Sequence, residues 1–143
     1  MAERAAHGKG LDRLAADLVA SGATMDARLA RAGDTPANRD AIAHWVGIER
    51  WAQRRLRVAL GEPFVEDGHR PYRPDEAAGV AALRRAFAET RAETLALVGR
   101  LRAAGVDPSV TVRHNDLGDM TVAGWLAYLV QHPEQESRAR LRS

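Results

Sequence analysis

The side chains best suited to chemistry in this sequence are its five histidines. One of them, His132, is separated from a glutamate by the spacing that is typical of two ligands of one metal ion. His132 and Glu136 are four residues apart, which on a helix places both side chains on one face. Imidazole and carboxylate groups bind divalent zinc, nickel, iron or manganese. His44 would complete a set of three ligands with coordination positions left open. A surface ion pair between His132 and Glu136 is the alternative interpretation.

Four further polar residues are candidates for supporting this site. Glu49 falls on the predicted inward face of its helix, where a carboxylate must be paired with an arginine or hydrogen-bonded. Asp40 and Arg91 are also candidates for orienting the ligands. His114 precedes a predicted helix start, at the end of the fold away from Glu136, where hydrogen bonds within its own loop are expected rather than metal ligation.

Other chemistries lack the residues that they require. The chain has no cysteine, which excludes disulfides, thiol nucleophiles of its own and iron–sulfur ligation. Its single lysine, Lys9, lies near the N-terminus, so Schiff-base chemistry is not expected. The G-x-S-x-G, Walker and H-E-x-x-H motifs are absent. His7 and His69 lie in polar segments and are expected to be solvated.

Length and composition indicate one soluble domain. The chain has 143 residues, of which 45% are hydrophobic and 28% charged, enough to bury a core. The formal net charge is +2 and the arginines are interspersed with acidic residues, so nucleic-acid binding is not favoured. No apolar run approaches the roughly 20 residues of a membrane span, and residues 1–10, without a signal-like apolar stretch, are predicted to be a flexible tail. We therefore predict a cytoplasmic protein with no membrane partner.

Apolar residues at intervals of three and four predict four amphipathic helices. They cover residues 11–31, 35–60, 75–104 and a last segment that begins at Thr121. Thr35 before Pro36 is typical of a helix start, and Gly61 followed by Pro63 is typical of a helix end. No segment alternates with a period of two residues. The sequence therefore predicts an all-α, single-domain four-helix bundle.

The connection at residues 61–74 is long enough to cross the bundle. Its 14 residues reach about 46 Å when extended, whereas the second helix is about 37 Å long. The third helix can therefore lie parallel to the second, in an up-down-down-up order. The short connection at residues 32–35 makes the first two helices antiparallel neighbours. This order places His44, His132 and Glu136 at similar depths on antiparallel helices.

Three segments resemble those of the DinB-like (DinB/YfiT) superfamily. AIAHWVGIERWAQRRLRVALGEPF is similar to that family's second helix, with its single ligand histidine, and FAETRAETLALVGRL is similar to its third helix. HNDLGDMTVAGWLAYLVQHPEQE resembles its G-[ED]-[ML]-T…W-L-x-Y-L…H-x-x-x-H run. The resemblance covers residues 35–142 and implies a bundle, frequently homodimeric, that holds a divalent metal with three histidines. By position, these fall on His44, His132 and Glu136, so a carboxylate replaces the third imidazole.

The resemblance also implies a range of functions. Some members of that family are transferases or isomerases that use low-molecular-weight thiols, and most have no assigned reaction. A metal-dependent transferase or hydrolase acting on a thiol or another small substrate is therefore expected. Pro133 should kink its helix, and with Glu136 it disturbs the ligand run. The alternative is a metal-free helical dimerisation module with a degenerate metal site.

The tryptophans suggest an interface. Trp45 and Trp51 are six positions apart, so on a helix they point roughly 120° apart and do not share the centre of one narrow face. Trp51 is therefore expected at the margin of the bundle, at or beside the interface of a two-fold homodimer. Coverage of Trp51 by the chain's own 61–74 segment is the alternative.

Overall fold

The computed structural model is mostly helical, carries one small β-hairpin and describes all 143 residues. Its helices are α1 (Ala2–Ala6), α2 (Leu11–Arg31), α3 (Pro36–Val58), α4 (Val80–Ala103) and α5 (Val122–Arg140). Strands β1 (Thr111–His114) and β2 (Gly118–Thr121) are antiparallel, with Thr111 opposite Thr121. None of the helices has both the length and the apolar character that crossing a bilayer requires.

The long helices lie close to the segments that apolar periodicity predicts. The Thr35 hydroxyl accepts a hydrogen bond from the backbone N–H of Asn38 at 3.2 Å and so caps α3. One predicted boundary is wrong. Asp75 caps a single 3₁₀ turn, Glu76–Ala78, and Gly79, with φ of +88°, separates that turn from α4.

The N-terminal residues are not a flexible tail, which corrects the sequence prediction. They contain α1, whose Ala2 and Ala6 are buried against the core. The Glu3 carboxylate accepts hydrogen bonds from the backbone N–H of Thr121 at 2.9 Å and from its hydroxyl at 2.8 Å. The helix N-terminus of α5 favours a carboxylate at this position. These contacts fix the N-terminal segment to the start of α5.

Contacts between the long helices define their relative directions. Pairs that join α2 to α4 occur in opposite order along the two helices: Asp12 with Arg102, Leu18 with Arg91, and Asp26 with Arg84. Pairs that join α2 to α5 occur in the same order: Ser21 with Val130, and Arg28 with Ser137. Helix α2 is therefore antiparallel to α4 and parallel to α5.

Helix α3 is antiparallel to α5, because Asn38 near its start bonds the backbone of Arg142 just beyond the end of α5. One hydrophobic cluster contains residues from the first half of both α3 and α4, and the other contains residues from the second half of both. Helices α3 and α4 are therefore parallel, as the long connection predicts. The prediction that the first two long helices are neighbours is wrong. Helices α2 and α3 pack on α4 and α5, which lie between them, rather than on each other.

Trp51 lies in the core, so the prediction that it borders a dimer interface is wrong. Its side chain is 2% exposed and packs edge-on against Trp125, with ring centroids 5.3 Å apart. The indole N–H donates to the Asp67 carboxylate at 3.1 Å. Asp67 belongs to the connection between α3 and α4, residues 59–79, which we call the crossover segment. The chain's own crossover segment therefore covers Trp51.

Glu49 and Arg91 form a buried ion pair between α3 and α4. Two guanidinium nitrogens of Arg91 donate to the two carboxylate oxygens of Glu49, both at 2.9 Å. Arg91 is 4% exposed and Glu49 is 2% exposed. Arg91 also donates to the Leu129 carbonyl at 3.0 Å. Pro133 has no N–H for this carbonyl, so Arg91 replaces the helical hydrogen bond that the proline removes. Helix α5 continues through Pro133 to Arg140.

Candidate metal centre

His44, His132 and Glu136 converge because α3 and α5 are antiparallel. One candidate ligand atom from each lies within 4.8 Å of the other two, and all three residues are partly buried. His132 Nε2 is 3.0 Å from one Glu136 oxygen, and His44 Nε2 is 3.9 Å from the other. The two imidazole centroids are 5.7 Å apart. Two imidazoles on one zinc ion have centroids about 5 Å apart, given bonds of about 2.1 Å, so small side-chain shifts suffice.

Hydrogen bonds from neighbouring side chains hold the Glu136 carboxylate in place. Its Oε1 accepts from the indole N–H of Trp45 at 2.9 Å and from Arg140 at 3.2 Å. Arg140 also donates to Asp40 at 3.0 Å, and Arg73 donates to the other Asp40 oxygen at 2.7 Å. Asp40 therefore contacts the candidate site through Arg140. The other Glu136 oxygen has no donor besides His132.

The three candidate ligands have the protonation states that metal binding requires. Burial lowers the pKa of His44 to about 4, despite the opposing charge of Glu136. Burial also lowers the pKa of His132. Burial alone would raise the pKa of Glu136, but the Trp45 hydrogen bond, the nearby His132 and Arg140 lower it overall. At neutral pH the site therefore consists of two neutral imidazoles and one carboxylate.

A cavity of about 230 Å³ opens beside the candidate ligands, and we call it the histidine cavity. It is lined by His44, Ile48, Trp51, His69, His114, Asn115, Asp116, Tyr128 and His132. Its wall is rich in rings, and neither arginine nor lysine contributes to it. Burial raises the pKa of Tyr128 to about 12, so this phenol is protonated at neutral pH. The cavity is the space in which a small molecule would meet the candidate metal.

His69 is a wall residue rather than an ordinary solvated histidine, which corrects the sequence prediction. Its ring lies edge-on to His44, with centroids 5.0 Å apart, and its Nδ1 is buried without a hydrogen-bond partner. The crossover segment brings it there. Gly47 of α3 allows this close approach, because a Cβ at that position would lie 3.2 Å from the His69 carbonyl oxygen and 2.7 Å from the Arg73 side chain. This glycine is a sign of the contact that is visible in the sequence.

His114 organises its own turn, as the sequence predicts. Its Nδ1 accepts hydrogen bonds from the backbone N–H groups of Asp116 at 3.0 Å and Leu117 at 3.2 Å. The ring also lies edge-on to Trp51 at 5.0 Å and to Tyr128 at 5.4 Å, so it is part of the cavity wall as well. Burial lowers the pKa of His114.

Glu49 and Arg91 do not touch the three candidate ligands. Their hydrogen-bond partners are Thr94 and the backbone carbonyls of Leu18 and Leu129. The pair therefore supports the packing of the helices that carry the site rather than the site itself.

No family model, curated protein or solved structure matches this chain. Its function is therefore inferred from the residues that the fold brings together.

The metal-free protein is expected to lose up to about 3 kcal/mol of stability through His44 between about pH 7 and pH 4. In the unfolded chain His44 takes up a proton near its ordinary pKa of 6.5, whereas in the folded chain its pKa is about 4. As far as His44 is concerned, the protein has its full stability above pH 6.5, where His44 is neutral in both the folded and the unfolded chain. The stability falls as the pH decreases from 6.5, the pKa in the unfolded chain, to about 4, the pKa in the folded chain. Solvent at the partly exposed edge of the ring reduces the effect.

Urea unfolding of chelator-treated protein at several pH values measures this dependence. His44→Gln is expected to make the dependence over that range less steep, with the contributions of His132 and His114 remaining, while His7→Gln, at an exposed position, leaves it unchanged. Equal pH profiles for the wild type and His44→Gln would contradict the prediction.

Proposed function

We propose that this chain binds one divalent transition-metal ion through His44, His132 and Glu136 and is a DinB-like protein in which Glu136 replaces a third histidine. The supporting observation is the convergence of two imidazoles and a carboxylate within 4.8 Å from two antiparallel helices. A further buried nitrogen, His132 Nδ1, has no hydrogen-bond partner. Of the two ring nitrogens of His132, Nε2 faces Glu136 and Nδ1 is free.

The donor set favours a catalytic rather than a structural metal. Three protein ligands leave coordination positions open, as in catalytic zinc sites, and two imidazoles with one carboxylate also suit iron, nickel or manganese. A bound ion would supply Lewis-acid activation of a thiol or a water molecule. Trp45 and Arg140 hold the carboxylate, and the histidine cavity accommodates the substrate. We infer a metal-dependent transferase or hydrolase acting on a small thiol or another small molecule.

We propose that the four long helices form an up-down-down-up four-helix bundle. The order of contacts along α2, α3, α4 and α5 supports this arrangement, as does the long crossover segment between the parallel helices α3 and α4. The homodimer that the family resemblance implies stays a prediction. Its interface lies elsewhere than at Trp51, which is buried within its own chain.

A metal-free helical interaction module is the second candidate function. It is favoured by the contacts of Glu136, whose Oε1 already accepts hydrogen bonds from Trp45 and Arg140 and whose Oε2 lies 3.0 Å from His132 Nε2. In this case the three residues form a network of hydrogen bonds between α3 and α5, and added metal does not change the stability of the fold.

Thermal unfolding with and without metal separates the two functions. Zinc at 100 times its dissociation constant is expected to stabilise the wild type by about 2.7 kcal/mol, which raises the melting temperature by roughly 8 °C. His44→Ala is expected to abolish this shift, because one of three ligands is lost. His7→Ala, at an exposed position, is the matched control and retains the shift. Equal melting temperatures with and without zinc, nickel or manganese would favour the metal-free module.

A further inference from the structure

His114 is held in one tautomer by its own turn. A neutral imidazole has one nitrogen that accepts and one that donates, and His114 Nδ1 accepts from the backbone N–H groups of Asp116 and Leu117. The proton is therefore on Nε2. This nitrogen is buried and has no hydrogen-bond partner, although the ring lines the histidine cavity. The fold thus keeps an unpaired, uncharged N–H donor on a ring that lines this cavity.

Tyr128 supplies a second uncharged donor. Its ring stacks on His132 with centroids 5.0 Å apart, and it lies edge-on to His114 at 5.4 Å. Its hydroxyl forms no hydrogen bond within the chain. The two donors therefore belong to neighbouring rings that line one cavity, and neither has an acceptor in the protein.

We propose that the histidine cavity binds the carbonyl group of a small, uncharged molecule, with His114 Nε2 and the Tyr128 hydroxyl as the two hydrogen-bond donors. A carbonyl oxygen has two lone pairs and accepts from both. The rings of Trp51 and the wall histidines offer flat apolar surfaces for a planar group beside the carbonyl. The cavity volume, about 230 Å³, is below that of sites for drug-sized ligands and suits a molecule with a single ring.

The charges around the cavity favour an uncharged ligand over an anion. No arginine or lysine lines the cavity, whereas the Asp116 carboxylate does. The Arg55 guanidinium stacks on Trp51 at 4.8 Å and is not a wall residue. An unpaired buried donor is unfavourable, so an acceptor on the ligand is stabilised here. This carbonyl site does not require a bound metal.

The tautomer and the binding are measured on metal-free, chelator-treated protein. Long-range ¹H–¹⁵N NMR of the histidine rings is expected to show His114 protonated at Nε2 and unprotonated at Nδ1. Benzamide, an uncharged planar amide, is the probe, and its dissociation constant is measured by NMR titration. Toluene, which keeps the uncharged ring but lacks the carbonyl, is the matched compound and is expected to bind more weakly.

Two substitutions at His114 separate its roles. His114→Asn keeps an acceptor near the position of Nδ1 but lacks the Nε2 donor, whereas His114→Gln keeps a donor and loses the acceptor for the turn. His114→Asn is expected to retain most of the melting temperature and to weaken benzamide binding about tenfold. Tyr128→Phe is expected to weaken it about fivefold, and His114→Gln to lower the melting temperature most.

Several results would overturn the carbonyl site: a proton on His114 Nδ1, no saturable benzamide binding by the wild type, unchanged binding by both His114→Asn and Tyr128→Phe, or equal affinity for toluene. Because these measurements use metal-free protein, their failure leaves the proposed metal site standing. Failure of metal binding would likewise leave the carbonyl site standing.

Discussion

Replacement of Arg91 by methionine is expected to destabilise the protein by about 3–5 kcal/mol. It leaves the Glu49 carboxylate, 2% exposed, without its cation. It also leaves the Leu129 carbonyl, whose helical donor Pro133 removes, without a partner. Since whole domains are stable by about 5–15 kcal/mol, this loss is a large fraction of the total. Urea unfolding at neutral pH measures it.

The matched control is Arg84→Met. Arg84 lies on α4 like Arg91, and its exposed ion pair with Asp26 of α2 has a distance of 2.7 Å. This substitution is expected to change the stability little, because solvent screens such a pair. The double variant Glu49→Leu, Arg91→Met is expected to be more stable than Arg91→Met alone, because no unpaired charge remains. Equal effects of Arg91→Met and Arg84→Met would show that the buried pair contributes no more than a surface pair.

Glu136→Gln is expected to weaken metal binding at least about 100-fold, because an amide oxygen replaces an anionic ligand. The stability of the metal-free fold is expected to change little, since the amide oxygen still accepts from Trp45 and Arg140. The control is Glu134→Gln, one half-turn away on α5. Competition with a chelating dye gives the affinities, and equal values for the two variants would exclude Glu136 as a ligand.

The helices and the three converging residues were predictable because their signals are local or follow from connection lengths. His132 and Glu136 share a face through their spacing alone, and the length of the crossover segment indicates that α3 and α4 are parallel. That direction makes α3 antiparallel to α5 and brings His44 to the same depth. Each of these steps needs only helical geometry and the number of residues between helices.

The features that were not predictable depend on the path of an irregular segment or on short elements. The crossover segment covers Trp51 and brings His69 to His44, and neither contact follows from periodicity. The α1 helix has only five residues, and its Glu3 contact with Thr121 joins distant parts of the chain. The strands have four residues each, too few to reveal a period of two.

The metal content of the protein, purified without a histidine tag and dialysed against zinc, tests the central proposal most directly. The proposed site predicts one tightly bound ion per chain for the wild type and for His7→Ala. It predicts none for the double variant His44→Ala, His132→Ala, with both variant proteins folded by circular dichroism. Absence of stoichiometric metal in the wild type, or the same metal content in the double variant, would contradict a site formed by His44, His132 and Glu136.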